Sequence, residues 1–268
     1  MTDELEPFFD ENGEERRNGT LMPPENFVSS FRTFESEHPV WDDADILRAI
    51  QDPNRVPGRV QFGSEWVQNQ LQHGSCGGWA GAGCLAKARV RRGLPKLLLS
   101  GSFLYALANR GRDNGSDPED IMTALGTNGA PAADLVTANM IFPNQQPASA
   151  KAEALKHRGL DCYAIQTKQG FRTALAAGFP VAVVVQAGKN FQRLNSQGIS
   201  GVDAGNGDHA IASDGIEIIN GTEVYDTQNS WGLNYGQNGR TYLTWDSFAQ
   251  PWLRFTFYAV ASTEEAGE

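Results

Sequence analysis

The chain has 268 residues, 40% of them hydrophobic and 20% charged, which is enough for one large domain or two small lobes around a buried core. Its formal net charge of −10 argues against a nucleic-acid groove, because phosphate binding needs clustered Lys and Arg. No apolar run approaches the ~18 residues of a membrane span. The acidic start lacks the basic and apolar segments of a secretory signal. We therefore predict no nucleic-acid partner, no membrane partner and a cytoplasmic location.

The three cysteines, Cys76, Cys84 and Cys162, do not indicate a disulfide scaffold and fit a reducing compartment. The sequence has no His-Glu-x-x-His and no Cys-x-x-Cys pair, so we predict no metal site. It also has no phosphate-binding Gly-x-x-x-x-Gly-Lys loop and no Gly-x-Ser-x-Gly elbow. No cofactor is therefore expected, and a serine hydrolase has no support.

Residues 1–57 are predicted to form an acidic N-terminal extension. Its first 20 or so residues are expected to be poorly ordered, and the rest to pack on the following domain. Within it, a short helix is expected at Asp43–Ile50. The main domain is assigned to residues 58–262, followed by a tail at 263–268.

Helical patterns dominate the first half of the domain, and strand patterns dominate the second half. Capping residues and periodicity predict three helices: Cys76–Arg92, Ser100–Asn109 and Pro118–Leu125. The second half is predicted to hold one short helix, Phe171–Ala177, and a set of strands: Pro180–Ala187, Ile216–Ile219, Thr222–Tyr225, Arg240–Trp245 and Leu253–Ala261. The order predicts an α+β fold with a helical lobe at about 58–135, an antiparallel β lobe at about 136–262 and a cleft between them.

Cys76 is the candidate nucleophile. It follows Gly74-Ser75 at the predicted start of a glycine-rich helix, where the positive end of the helix favours a thiolate. A buried core cysteine is the commoner fate of an isolated Cys, and we assign Cys84 and Cys162 to the core.

His209 is the candidate general base, because it follows a polar glycine-rich loop and precedes an apolar strand. His73 competes for this role, but it lies only three residues before Cys76, in a short loop that suits a rigid base poorly. Asn229 is the candidate partner of the imidazole, since an amide oxygen can fix the ring and its tautomer. Trp231 could shield that hydrogen bond from water.

Gln70 is the candidate oxyanion donor. Its side-chain N–H and the Cys76 backbone N–H could hold the negative oxygen of a tetrahedral intermediate. Gln68 and Gln72 lie close by, and the spacing to Cys76 selects Gln70 among the three.

Together, four segments resemble the papain-like cysteine peptidases: Asn69-Gln70, Gly74-Ser75-Cys76, Asp208-His209-Ala210 and Asn229-Ser230-Trp231-Gly232. The separations from Cys76 to His209 and Asn229 lie close to the ~130–150 residues expected for this arrangement. The likeness runs from roughly residue 56 to residue 261.

The resemblance implies a two-lobe fold with a helical front lobe, a β-barrel-like second lobe and an active-site cleft between them. It also implies substrate-binding roles for Gly115, Ser116, Asp208 and Trp231, with Ser116 pairing with substrate backbone.

Two positions depart from the family pattern. Gly77 stands where a Trp usually follows the nucleophile, and an alignment on Trp79 would put Gly78 in the nucleophile position. His73 stands where many members have a disulfide cysteine. The extension also lacks the helical pattern of an inhibitory prosegment, although it could still cover the cleft.

The expected function is that of a cysteine endopeptidase acting on peptide or protein substrates through an acyl-enzyme on Cys76. One alternative is a catalytically idle papain-like module with a binding or assembly role, for example in a virus particle or a larger complex. Another is a cell-wall peptidase or transglutaminase-like enzyme, which Gln70 and the Asn-Ser-Trp-Gly segment disfavour.

Overall fold

The computed structural model describes residues 6–21, 27–205, 207–248 and 257–265, the last of these to residue 261 for side chains. Its α-helices are α1 (Phe34–Glu37), α2 (Asp43–Ile50), α3 (Gly58–Gln61), α4 (Cys76–Arg91), α5 (Gly101–Ala108), α6 (Pro118–Thr127), α7 (Ala148–Ala154), α8 (Lys168–Ala176) and α9 (Lys189–Gln192). Single 3₁₀ turns lie at Ser64–Trp66, Pro143–Gln145 and Trp245–Phe248. Its strands are β1 (Phe8–Phe9), β2 (Glu15–Arg16), β3 (His157–Ala164), β4 (Val181–Val185), β5 (His209–Ile219), β6 (Thr222–Gln228), β7 (Arg240–Leu243) and β8 (Tyr258–Glu265).

Helix α4 is the central element of the first lobe. Every residue from Cys76 to Arg89 is buried, as expected for a helix that is apolar on all sides. It contacts α5 and α6 on the helical side and β4, β5 and β8 on the sheet side. Gly78 shows why the helix is rich in glycine, because a Cβ there would lie 2.2 Å from the Gly101 carbonyl oxygen of α5.

The second lobe is built on a six-stranded antiparallel sheet in the order β3-β8-β4-β5-β6-β7. Strand β5 pairs with β4 from Val185↔His209 to Val181↔Ser213, which makes His209 the first residue of a central strand. The β5–β6 hairpin turns at Asn220-Gly221, both with positive φ, as the Asn-Gly pair predicts. Among the described residues the outer strands β3 and β7 do not pair, so the ladder is antiparallel without closing into a barrel.

A buried ion pair joins α4 of the first lobe to β5 of the second lobe. Lys87 of α4 lies 2.5 Å from Asp214 of β5, and both side chains are 1% exposed. Arg240 of β7 also binds Asp214, and Asp226 lies 3.1 Å from Arg240. Removing one partner from such a cluster leaves an uncompensated buried charge, so the helix that starts at Cys76 is held firmly against the strand that starts at His209.

The α+β fold class and the helical-then-strand order are as predicted. Helix α2 has the predicted bounds, and the other predicted helices shift by a few residues. Strand β3 was not predicted, because its sequence mixes charged and apolar residues without clear alternation. The start of the predicted last strand, residues 253–256, lies outside the described residues.

Residues 6–21, for which poor order was expected, take defined positions in the structure. Strands β1 and β2 form a small hairpin, and Asp10, Arg16 and Thr20 are buried against the main domain. The acidic composition did not indicate this packing, because the contacts depend on a few anchoring residues and not on an apolar pattern.

None of the helices in the described ranges is long and apolar enough to cross a membrane.

Candidate active site

Cys76 is the first residue of α4, directly after Ser75. The Trp79 indole donates to the Ser75 hydroxyl over 3.1 Å, which fixes the turn that leads into the helix. Gly78 packs against α5, on a side of the helix away from the other candidate residues. The geometry therefore favours the alignment in which Cys76, and not Gly78, faces the second lobe.

His209 and Asn229 form the predicted pair. His209 Nε2 lies 2.7 Å from Asn229 Oδ1, and both residues are buried. The Trp231 ring covers them, with its centroid 4.7 Å from that of the imidazole and none of its surface exposed. An Asn oxygen on Nε2 selects the tautomer protonated there, which leaves Nδ1 as the nitrogen with a free lone pair.

Nδ1 of His209 is buried and has no hydrogen-bond partner among the described residues. The Cys76 thiol lies beside the backbone N–H of Ala210, the residue after His209, and this N–H acts to lower the pKa of the thiol. The start of α4, which carries the thiol, therefore faces the start of β5, which carries the imidazole.

Gln70 lies on the other side of the nucleophile loop. Its Oε1 accepts from the Ser230 hydroxyl over 2.6 Å, which fixes the direction of the amide. Its Nε2 donates to the His73 carbonyl over 2.7 Å and to the Arg17 carbonyl over 3.1 Å. Gln68 instead donates to the Leu99 carbonyl, and Gln72 is exposed, so Gln70 alone of these three points toward residue 17 of the N-terminal segment.

Three of the four residues predicted to bind substrate, Gly115, Ser116 and Asp208, contact residues 19–21. The fourth, Trp231, is fully buried beside His209. The Thr20 N–H donates to the Asp208 carbonyl over 2.9 Å. The Ser116 N–H donates to the Gly19 carbonyl over 2.8 Å, and the Ser116 carbonyl accepts from the Leu21 N–H over 3.0 Å. Gly115 is so close that a Cβ on it would lie 2.4 Å from the Gly19 carbonyl oxygen.

Gly19 and Thr20 also cover the thiol itself. The Gly19 N–H and the Thr20 hydroxyl each lie 3.4 Å from Cys76 Sγ, and the thiol is fully buried beneath them. Arg16 anchors this cover: its side chain is 2% exposed and binds Asp10, Asn69 Oδ1 and the Trp231 carbonyl. We call residues 16–21 the cover segment.

Burial dominates the electrostatics of the covered site. It raises the pKa of the Cys76 thiol, although hydrogen bonds from Thr20, Ala210 and Gly19 act in the opposite direction. It also lowers the pKa of His209 to about 4, against the smaller effects of Asn229 and Asp208. Both shifts favour neutral groups, so the covered site holds a thiol and a neutral imidazole, not a thiolate–imidazolium pair.

His73, the competing base, is engaged elsewhere. Its Nδ1 lies 3.0 Å from Asp113 and its Nε2 lies 3.0 Å from Asn139. Neither ring nitrogen is left for the thiol. Among the described residues, no group of three or more His, Cys, Asp or Glu side chains is arranged to hold a metal ion.

Sequence reasoning missed the parts of the site that come from Arg16, Gly19, Thr20 and Asp113. Arg16 and Arg17 form a basic pair inside an otherwise acidic stretch, which is a weak signal of an ordered contact. Nothing in the sequence indicates which glycine lies on the thiol.

A helix-tip thiol facing an imidazole–amide pair across a helical and an antiparallel lobe defines the class of papain-like thiol hydrolases. A family model described as papain family cysteine protease matches residues 64–248, and the chain belongs to this family. A comparison with curated proteins found no match.

Solved structures give the same fold. Xylellain, a cysteine protease from Xylella fastidiosa, is 17% identical with a TM-score of 0.71, covering 92% of this chain and 97% of xylellain. ProCathepsin B S9 from Trypanosoma congolense is 14% identical with a TM-score of 0.66, covering 93% and 87% of the two chains. The ragweed allergen Amb a 11, a cysteine protease in its proform, is 18% identical with a TM-score of 0.58, covering 80% and 68%.

Proposed function

We propose that the protein is a thiol-dependent endopeptidase whose site is held latent by its own cover segment. The observation that carries the proposal is the set of contacts around Cys76. The thiol lies beside the backbone N–H of Ala210, the residue after His209, and the cover segment makes backbone hydrogen bonds to Ser116 and Asp208, the groups expected to hold a peptide. A surface that binds one extended peptide through its backbone is suited to bind another.

In the open enzyme, Cys76 Sγ attacks the carbonyl carbon of the peptide bond while His209 takes the thiol proton. Gln70 Nε2 and the Cys76 N–H stabilise the oxyanion that forms. His209 then gives its proton to the departing amine, which leaves a thioester on Cys76. Water attacks the thioester after losing a proton to His209, and the acid product leaves with the thiol restored.

Asn229 acts through the imidazole. Its Oδ1 accepts a hydrogen bond from Nε2–H, which keeps Nδ1 free to receive the thiol proton. Trp231 shields that hydrogen bond from water. An uncharged amide serves here because the imidazole becomes positive during the reaction while the neighbouring sulfur becomes negative.

The position of the cover segment favours inhibition of the peptidase over cleavage of the segment itself. Gln70 donates to the carbonyl oxygen of Arg17, whereas the peptide nitrogen nearest to the thiol is that of Gly19. Attack requires one carbonyl to present its carbon to the sulfur and its oxygen to the donor. Because the cover segment gives these two positions to different residues, it blocks the site in a non-reactive register.

Uncovering the site should also activate it. Burial is the largest cause of the raised Cys76 pKa and of the lowered His209 pKa. Water that enters when the cover segment leaves would solvate both charges, and the helix start would then favour the thiolate. Latency thus has a steric and an electrostatic part.

Selective trapping of Cys76 tests the proposal. In the chain carrying Gly19→Ala, in which the cover segment is expected to leave Cys76, a peptidyl epoxide should modify Cys76 and leave Cys84 and Cys162 untouched, because these two stay buried and burial raises the pKa of both to about 12. The modified residue is mapped by mass spectrometry after digestion. Hydrolysis of a fluorogenic peptide library is measured in parallel.

The variants His209→Ala and Cys76→Ser serve as controls. Each should abolish both labelling at position 76 and hydrolysis. Equal labelling of the three cysteines, or labelling that His209→Ala leaves unchanged, contradicts the proposal.

The fully covered thiol also favours a second candidate, an idle papain-like module whose site stays closed. This candidate predicts that no variant of the cover segment yields peptide hydrolysis. The experiment on Gly19 described in the Discussion separates the two.

A further inference from the structure

We propose that His73 and Asp113 are positioning residues. Through the ion pair between their side chains, which we call the brace, they hold the oxyanion donor, the nucleophile loop and the segment at Gly115 and Ser116 in fixed relative positions. The proposal rests on the peptidase function proposed above. It concerns two residues that contact neither the thiol nor the cover segment through any described hydrogen bond.

Asp113 connects two of the three parts. Its Oδ1 accepts from the backbone N–H of Gly74, two residues before Cys76, over 3.0 Å. The same oxygen accepts from the Tyr105 hydroxyl over 2.8 Å, and that hydroxyl accepts from the Gly115 N–H over 3.0 Å. One carboxylate therefore fixes both the loop that leads to Cys76 and the segment that carries Gly115.

His73 connects the third part. Its backbone carbonyl accepts from Gln70 Nε2 over 2.7 Å, so the position of residue 73 sets the position of the oxyanion donor. Its ring Nδ1 lies 3.0 Å from Asp113 Oδ2. Movement of the ring away from Asp113 would shift the loop between Gln70 and Cys76, on which both the donor and the nucleophile depend.

The surroundings of the ring favour the imidazolium. The ring lies between Asp113 Oδ2 and Asn139 Oδ1, two oxygens that both accept hydrogen bonds, and only the imidazolium can donate to both. Arg17 of the cover segment is the opposing charge near the ring and acts to lower its pKa. The hydrogen bond to Asp113 outweighs this and the burial, so the pKa of His73 is raised.

The pH dependence of the brace follows from the pKa shifts of both His73 and Asp113. A His whose pKa is raised by folding stabilises the fold fully below its unfolded value, near 6.5, and loses that contribution as pH rises through the raised pKa. The pKa of Asp113 is lowered, so its contribution is present above its ordinary value of 3.8 and disappears as pH falls through the lowered pKa. The brace is therefore strongest between about pH 4 and 6.5.

The test uses the full chain with Gly19→Ala, in which the cover segment is displaced, and compares it with the same chain carrying His73→Gln or His73→Lys. Inactivation by a peptidyl epoxide is measured from pH 5 to 9 and separated into the inhibition constant and the maximal rate. At pH 5.5 we expect His73→Gln to lower the second-order rate roughly tenfold, the factor set by one charge-assisted hydrogen bond.

The ratio of the inactivation rates of the parent and His73→Gln should approach one as the pH rises through the raised pKa of His73 and the ring loses its charge. His73→Lys keeps its positive charge to about pH 10. It should therefore react with the epoxide at the parent's pH 5.5 rate and keep that rate at pH 8.5. Melting temperatures across the same pH range report stability separately.

A pH-independent ratio overturns the proposal, and so does a change in melting temperature without a change in inactivation. Failure of the peptidase function looks different: neither protein hydrolyses peptides, while the pH-dependent difference in epoxide reaction persists. If the epoxide reacts with neither protein, both proposals fail.

Discussion

Replacing Gly19 by alanine is expected to convert the latent protein into an active peptidase. The ideal Cβ at position 19 would lie 1.8 Å from the Gly74 carbonyl oxygen and 2.6 Å from the Gly74 Cα. These are backbone atoms of the nucleophile loop, which α4 and Asp113 hold in place, so they cannot move aside at low cost. The cover segment has to leave instead.

The size of the effect follows from the cost of overpacking, which is about 1–3 kcal/mol for a poorly tolerated added group. If this cost destabilises the closed state alone, it raises the population of the open state, and hence the rate of Cys76 alkylation, about 5- to 150-fold. The rate of iodoacetamide labelling at Cys76 and the hydrolysis of a fluorogenic peptide are the two measurements. Both should rise by the same factor, because both require the same open state.

Gly83→Ala is the matched control. A Cβ there would make an ordinary contact, 3.5 Å from the Ala212 Cβ, so the same chemical change should leave labelling and hydrolysis as they are. If Gly19→Ala labels Cys76 faster but yields no hydrolysis of any peptide, the idle-module candidate gains support. If it changes neither, residues 19 and 20 do not control access to the thiol.

The fold was predictable because its main elements carry local signals. The serine and aspartate caps, the arginines at the end of α4 and the Asn-Gly turn of the β5–β6 hairpin each act within a few residues. The four motif segments were also recognisable one by one. Their side chains do meet in the structure as the pairs His209–Asn229 and Gln70–Ser230.

The sequence left open that the extension covers the cleft, but the contacts of the cover segment and the brace were not predictable, for a physical reason. Arg16 reaches Trp231, and Gly19 reaches Cys76, over long stretches of chain and through backbone atoms that every residue shares. His73 and Asp113 are forty positions apart, and each alone looks like an ordinary surface residue. Single-sequence patterns carry no trace of such pairings, whereas periodicity and capping do.

Gln70→Ala should move peptide hydrolysis and thiol labelling in opposite directions. In the chain carrying Gly19→Ala, it removes one of two oxyanion donors and should lower kcat about 10²- to 10³-fold. In the otherwise unmodified chain it also removes the hydrogen bond from Gln70 to the Arg17 carbonyl, which helps to hold the cover segment. Iodoacetamide has no oxyanion to stabilise, so labelling of Cys76 should become faster there.

Gln72→Ala is the control for this pair of effects, because Gln72 is exposed and lies two residues away in the same loop. It should change neither rate. A Gln70→Ala protein with unaltered kcat would mean that Gln70 serves to hold the cover segment and the His73 carbonyl only. Slower hydrolysis together with slower labelling would instead indicate a collapsed loop, since an open site with a missing donor predicts opposite signs.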